Sequence, residues 1–152
     1  MNLSKNFTLN ELTKSQEALR YGIDNTPNEE HIQNLKILCE KILQPIRDFY
    51  GMPLSISSGY RSVPLCVAIG SSPTSQHTRG EAADFEIFSV ANKELADFIV
   101  SNLDYDQCIL EFWNKNEPNS GWVHCSYSSK YNRRRYLKAE KVNGKIVYST
   151  IF

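Results

Sequence analysis

The order of elements in this chain predicts one α+β domain, an antiparallel sheet with helices packed on one side. Three observations carry that prediction. Apolar residues recur at helical spacing through the first third of the chain. From Leu54 onward the pattern changes to short runs of period two, separated by glycine, proline, serine and asparagine. One amphipathic helix interrupts those runs, so helices come first and strands follow with a helix inserted.

Phe7 to Leu12 opens with Thr8 as a helix N-cap and Glu11 three residues on, the pattern of a capping box. Asn25-Thr26-Pro27 is a loop. Glu29 to Tyr50 has a long helical period, with Ile32, Leu35, Leu38, Cys39, Ile42 and Ile46 as its apolar stripe. Pro45 lies inside that period and predicts a kink or a break. His31 falls in the first turn, where an exposed or capping role is expected. Gly51-Met52-Pro53 ends the helix, Leu54 to Ser57 alternates as a strand, and Ser58 to Arg61 is a turn. Pro64 to Ile69 reads as a short helix and Gly70 to Thr74 as a loop. Glu81 to Phe88 is a strand, Ala91 to Asn102 a helix, Tyr105 to Phe112 a strand, Asn114 to Gly121 a polar loop, and Trp122 to Ser126 a strand. The end reads as a hairpin: Arg135 to Lys138, an Asn143-Gly144 turn, then Lys145 to Ile151.

A chain of 152 residues is one domain's worth and buries a core without staples. Seventeen basic and seventeen acidic residues cancel, so no global field favours nucleic acid or an anionic membrane. The basic stretch Lys130 to Arg135 has no wider basic surface to support it and reads as a solvated loop. No apolar run approaches the roughly 18 residues of a membrane span. Met1 to Thr8 lacks a signal-peptide hydrophobic region, so synthesis in the cytoplasm is expected. Cys39, Cys66, Cys108 and Cys125 form no C-x-x-C pair, and buried free thiols are expected for all four.

The chemistry concentrates between Ser75 and Phe85. On the Glu81 to Phe88 strand, Ala82, Asp84 and Glu86 share one face, and Ala83, Phe85 and Ile87 the other. Gly80 lets the chain turn so that His77 returns over Asp84. His124 shares a strand face with Trp122 and Ser126, a setting suited to a cleft wall. Two imidazoles and a carboxylate match the ligand set of catalytic zinc sites, which keep a fourth position for water. Glu111 ends its strand in the apolar run Ile109 to Trp113, where burial would raise its pKa. A zinc hydrolase needs such a carboxylate to take a proton from water. Arg61, after a tight turn, has a guanidinium able to hold a carboxylate or a developing oxyanion. On spacing alone, Glu111 and Arg61 read better as ordinary surface residues.

Four separated blocks arrive together: Ser57-Ser58-Gly59-Tyr60-Arg61, Ser75-Gln76-His77 with Gly80-Glu81-Ala82-Ala83-Asp84, Asp106-Gln107 to Glu111, and Trp122-Val123-His124. The chain thereby resembles the zinc D-alanyl-D-alanine carboxypeptidase family, over roughly residues 7 to 128. That family holds bacterial D,D-carboxypeptidases, dipeptidases and phage endolysins, and shares its fold with the hedgehog signalling domain. The nearest branch has the pattern S-x-H-x-x-G-x-A-x-D and a later W-x-H.

The resemblance implies a hedgehog/DD-peptidase-like domain with one catalytic zinc bound by His77, Asp84 and His124. It implies a peptidoglycan peptide as substrate, cut next to D-alanine by a carboxypeptidase or an endolysin-type endopeptidase. Arg61 matches the arginine that engages substrate and stabilises the transition state, and Tyr60, Ser75, Gln76 and Trp122 are expected at the substrate. Many members carry a glutamate three residues before the last histidine ligand as general base. Here that position is Gly121, and Glu111 looks like its replacement. Cys66 stands where the branch often has asparagine. Neither nucleic acid nor membrane insertion is expected, a monomer is, and action on the wall would follow release during phage or prophage lysis. The other reading is a non-catalytic, zinc-containing cell-wall-binding or phage structural module, which the glycine at 121 favours.

Overall fold

The computed structural model describes residues 1–151. The chain begins with two short paired strands, β1 (Asn2–Ser4) and β2 (Phe7–Thr8), followed by helices α1 (Leu9–Thr13), α2 (Gln16–Tyr21) and α3 (Glu29–Leu38). Thr8 caps α1 as its sequence predicts, with Oγ1 accepting from the Glu11 N–H at 3.2 Å. The break expected at Pro45 is a π-helical turn, Cys39–Leu43, placed just before α4 (Gln44–Tyr50). Proline has no N–H to donate, and the Gln44 N–H bonds five residues back to the Cys39 carbonyl, so the helix passes the proline without stopping.

The remaining elements are β3 (Ser55–Ser58), α5 (Val63–Ala68), a 3₁₀ turn (Gln76–Arg79), β4 (Ala82–Glu86), α6 (Asn92–Asn102), β5 (Gln107–Glu111), β6 (Trp122–Ser126), β7 (Arg135–Val142) and β8 (Lys145–Thr150). Six strands form one sheet in the order β3-β4-β6-β5-β7-β8. The expectation of an antiparallel sheet needs one correction: β5 and β7 pair in parallel, Gln107 beside Arg135 through to Glu111 beside Ala139. The connection from β6 to β7 passes the end of β5 rather than folding back as a hairpin, and a strand returned on that side runs the same way as β5. All other pairs are antiparallel.

Alternation along the strands divides the sheet into two faces. Ala83, Phe85, Cys108, Leu110, Val123 and Cys125 join the core with Leu35, Leu38, Ile42, Leu95 and Ile99 of the helices. The intervening residues, Asp84, Ile109, Glu111 and His124 among them, face a cleft on the side away from α3 and α6. All four cysteines are buried and free, and Cys125 turns away from His124 as strand alternation requires. The hairpin turn falls at Asn143-Gly144, both with positive φ (52° and 77°), the type I′ geometry that an Asn-Gly pair favours. No helix is long and apolar enough to cross a membrane among the described residues.

Candidate metal centre and cleft

Three strands bring the site together. Asp84 on β4 sits directly opposite His124 on β6, and His124 directly opposite Ile109 on β5. His77 comes from the 3₁₀ turn before β4, where the Ser75 hydroxyl accepts from the His77 N–H at 3.2 Å. Gly80 closes that turn at φ 74°, and a Cβ there would lie 2.5 Å from the His31 carbonyl oxygen. The chain can turn back over Asp84 only with glycine at that point.

His124 Nδ1 lies 2.9 Å from one Asp84 oxygen and His77 Nε2 3.5 Å from the other. One ligand atom from each of the three residues lies within 4.8 Å of the other two. Burial opposes ionisation of Asp84, yet the two histidines outweigh it and hold the carboxyl below its usual range. Burial also lowers the pKa of His77, which is 1% exposed, and the Asp84 charge only partly offsets this, so the imidazole stays neutral.

The tautomer of His77 follows from its other nitrogen. Nδ1 lies 2.7 Å from the Gly59 carbonyl oxygen, an acceptor only, so Nδ1 carries the proton and Nε2 keeps its lone pair. That Nε2 is buried and has no hydrogen-bond partner. A buried lone pair without a donor, aimed at a carboxylate and a second imidazole, suits a cation. Two nitrogens and one oxygen on one open face fit zinc with a position left for water or substrate.

Glu111 ends β5 beside Trp122 on one neighbouring strand and Ala139 on the other. Burial pushes its carboxyl up to about 6; Asp84 adds to the shift while His124 and Arg61 oppose it. The next residue, Phe112, has φ 54°, a left-handed conformation that ends the strand at Glu111.

Gly121 explains why the usual glutamate is missing there. Its φ is 67°, and a Cβ would lie 1.8 Å from the Glu111 carbonyl oxygen. No side chain fits that position while β5 ends where it does. A carboxylate on this side of the cleft therefore comes from residue 111.

Arg61 lines the cleft with a buried Nε that has no partner, and its backbone N–H donates to the His77 carbonyl at 3.1 Å. Trp122 lines the cleft as well; its Nε1 is buried and unpartnered, and its ring meets Phe112 at 5.5 Å. Ser75 and Gln76 line the cleft while also serving as structure, Ser75 as a cap and Gln76 as a donor to Asp106 at 3.0 Å. Tyr60 lies elsewhere. It is 6% exposed, belongs to the core and packs on the His31 ring at 5.2 Å, because strand-to-turn geometry points it opposite to Arg61. His31, expected to be exposed or capping, is half-buried beneath that contact.

Asp106 was not among the residues expected at the site. Its carboxylate is 3% exposed and accepts from the Arg133 N–H, Nε and one terminal nitrogen, and from Gln76 Nε2. It ties the 3₁₀ turn that carries His77 to the chain entering β7. Asp106 heads the Asp106-Gln107 to Glu111 block, but its spacing does not announce such a hub. Cys66, unexplained in the sequence, is a buried thiol on α5 close enough to Arg61 to feel its charge.

No curated protein matches the chain. The family model of Peptidase M15 matches residues 5–126, which include every strand from β3 to β6 and all three candidate ligands. The chain belongs to the Peptidase M15 family, a family of zinc metallopeptidases.

Proposed function

We propose that this protein hydrolyses a peptide bond in peptidoglycan stem peptides, next to D-alanine, as a carboxypeptidase or an endolysin-type endopeptidase. The observation that carries the reading is the convergence of His77 Nε2, Asp84 and His124 on a cleft that also holds Glu111 and Arg61. His77, Asp84 and His124 would hold one zinc ion per chain. When bound, zinc polarises a peptide carbonyl and acidifies water.

Glu111 takes a proton from the attacking water onto its carboxylate and returns it to the amine nitrogen as the C–N bond breaks. Its raised pKa suits both transfers. Arg61, whose buried Nε has no partner, offers its guanidinium to the developing oxyanion or to a terminal carboxylate. Trp122, Ser75 and Gln76 shape the cleft wall around the candidate ligands. A non-catalytic module loses its main support, since glycine at 121 follows from the close approach of the Glu111 backbone.

Metal content and cleavage of purified peptidoglycan test the proposal together. The expected result is about one zinc per chain and peptide release that a chelator stops. Zinc-loaded protein that releases nothing from peptidoglycan or from soluble stem peptides would refute it.

A further inference from the structure

The family match ends at residue 126, yet the cleft does not. Strands β7 and β8 extend the sheet beyond β5 and contribute Arg135, Leu137, Ile146 and Tyr148 to the cleft. Its volume, about 840 Å³, leaves room for more than the bond to be broken.

Register shows how this side is built. Glu111 lies beside Ala139, and Ala139 beside Tyr148, in one row across three strands. Tyr148 thus stands roughly 10 Å from Glu111, two strand spacings, with only a methyl group between them. Burial raises the phenol pKa, and the negative charges of Glu111 and Asp84 raise it further, so the phenol stays protonated. Ile109, Leu137 and Ala139 form a small apolar cluster of their own on the cleft side of the sheet. Tyr148 and Ile146 border it but stay half exposed, at 54% and 50%.

Arg135 occupies the far end of the same β7 face, two residues from Leu137 and beside Gln107. Of the cleft arginines, Arg79 pairs with Glu81 and Arg133 with Asp106, whereas Arg61, beside the candidate ligands, and Arg135, at the far end, have no acidic partner among the described residues. Its backbone is fixed, with the N–H donating to the Asp106 carbonyl at 3.0 Å. An apolar floor therefore runs from an aromatic wall to an unpaired guanidinium.

We propose that this side of the cleft is a subsite for a substrate residue whose side chain is aliphatic along its length and ends in a carboxylate. Ile109 and Leu137 are its floor, Tyr148 is its wall and Arg135 grips the carboxylate. The inference rests on the peptidase reading of the same cleft.

Two synthetic peptides test it, L-Ala-γ-D-Glu-X-D-Ala-D-Ala with X as meso-diaminopimelate or L-lysine, which differ by one side-chain carboxylate. Cleavage and calorimetric binding are measured on the zinc-loaded full chain. The diaminopimelate peptide should be favoured about tenfold in kcat/KM and in Kd, the effect of one charge-assisted pair. Arg135→Gln should bring both ratios close to one with zinc content and thermal unfolding unchanged, and Arg135→Lys should recover part of them. Tyr148→Ala should weaken both peptides alike. Equal treatment by the parent, or a preference that survives Arg135→Gln, overturns the subsite. If the parent cleaves neither peptide, release from purified peptidoglycan judges the peptidase reading, and binding decides the subsite: an Arg135-dependent preference supports it, while equal or absent binding overturns it.

Discussion

The His77 imidazole donates from Nδ1 to the carbonyl oxygen of Gly59, 18 residues earlier, across 2.7 Å. That bond fixes which nitrogen faces Asp84 and ties the candidate metal centre to the turn that carries Arg61. Gly59 cannot be replaced lightly, since a Cβ there would lie 2.3 Å from the Leu12 carbonyl oxygen. Gly59→Ala should shift the turn and lower zinc affinity about 10- to 100-fold, the usual cost of disturbing an orienting partner. Competition with a zinc-binding dye measures this without reference to activity, and unchanged affinity would show that the bond does not orient His77.

Replacing a ligand should act more severely. His77→Ala removes one of three donors, so zinc should fall well below one per chain by elemental analysis and hydrolysis should stop. Zinc bound at full stoichiometry in this variant would mean that the ion sits elsewhere.

Glu111→Gln separates binding from turnover. The amide keeps the shape of the side chain but accepts no proton, so zinc should remain while kcat falls by about 10²- to 10⁴-fold. The pH profile gives an independent check. With its pKa at about 6, Glu111 is protonated and idle below that pH and becomes able to accept a proton above it. In the parent, kcat/KM should therefore rise with pH through the acid limb, and a bound cation, which favours the carboxylate, moves that limb lower. A profile flat from pH 4 to 7 would remove Glu111 from the proton transfer.

Restoring the common glutamate at 121 should fail. Gly121→Glu or Gly121→Ala places a Cβ 1.8 Å from the Glu111 carbonyl oxygen at φ 67°. The strained backbone alone costs about 1–3 kcal/mol, and displacement of β5 adds to it. Denaturant unfolding should show a loss above about 2 kcal/mol, together with loss of activity. A stable, active Gly121→Glu protein would show that β5 can end elsewhere.

Asp106 predicts an acid limb of stability. Burial raises its pKa, but the Arg133 hydrogen bonds and charge, with Gln76, outweigh burial and hold it below 3.8. Its folded pKa lies below its unfolded one, so its contribution is complete above the unfolded value and is lost as pH falls through the folded value. Asp106→Asn should cost about 1–2 kcal/mol near neutrality, a modest figure because Arg133 is itself half exposed, and should flatten the stability profile below pH 4. Thermal unfolding from pH 2 to 7 in parent and variant checks it.

Much of this protein is determined locally, and those parts were legible in the sequence. β6 spans Trp122–Ser126 as its alternation requires, the β7–β8 turn sits on Asn143-Gly144, and Thr8 caps α1. His77, Asp84 and His124 could be singled out because period-two alternation places Asp84 and His124 on the polar faces of their strands and Gly80 allows the return of His77. What the tertiary structure decided depends on which strand lies beside which. The parallel pairing of β5 and β7 puts Ala139 and Tyr148 in a row with Glu111, and no local pattern encodes that neighbour. β7 runs to Val142 rather than stopping at Lys138, because Ala139 is the one buried residue in its outer half and gives little apolar signal. Tyr60 went to the core and Asp106 became a hub for the same reason. The direction of a side chain leaving a turn, and the partners of a buried carboxylate, are set by packing between segments far apart in the chain.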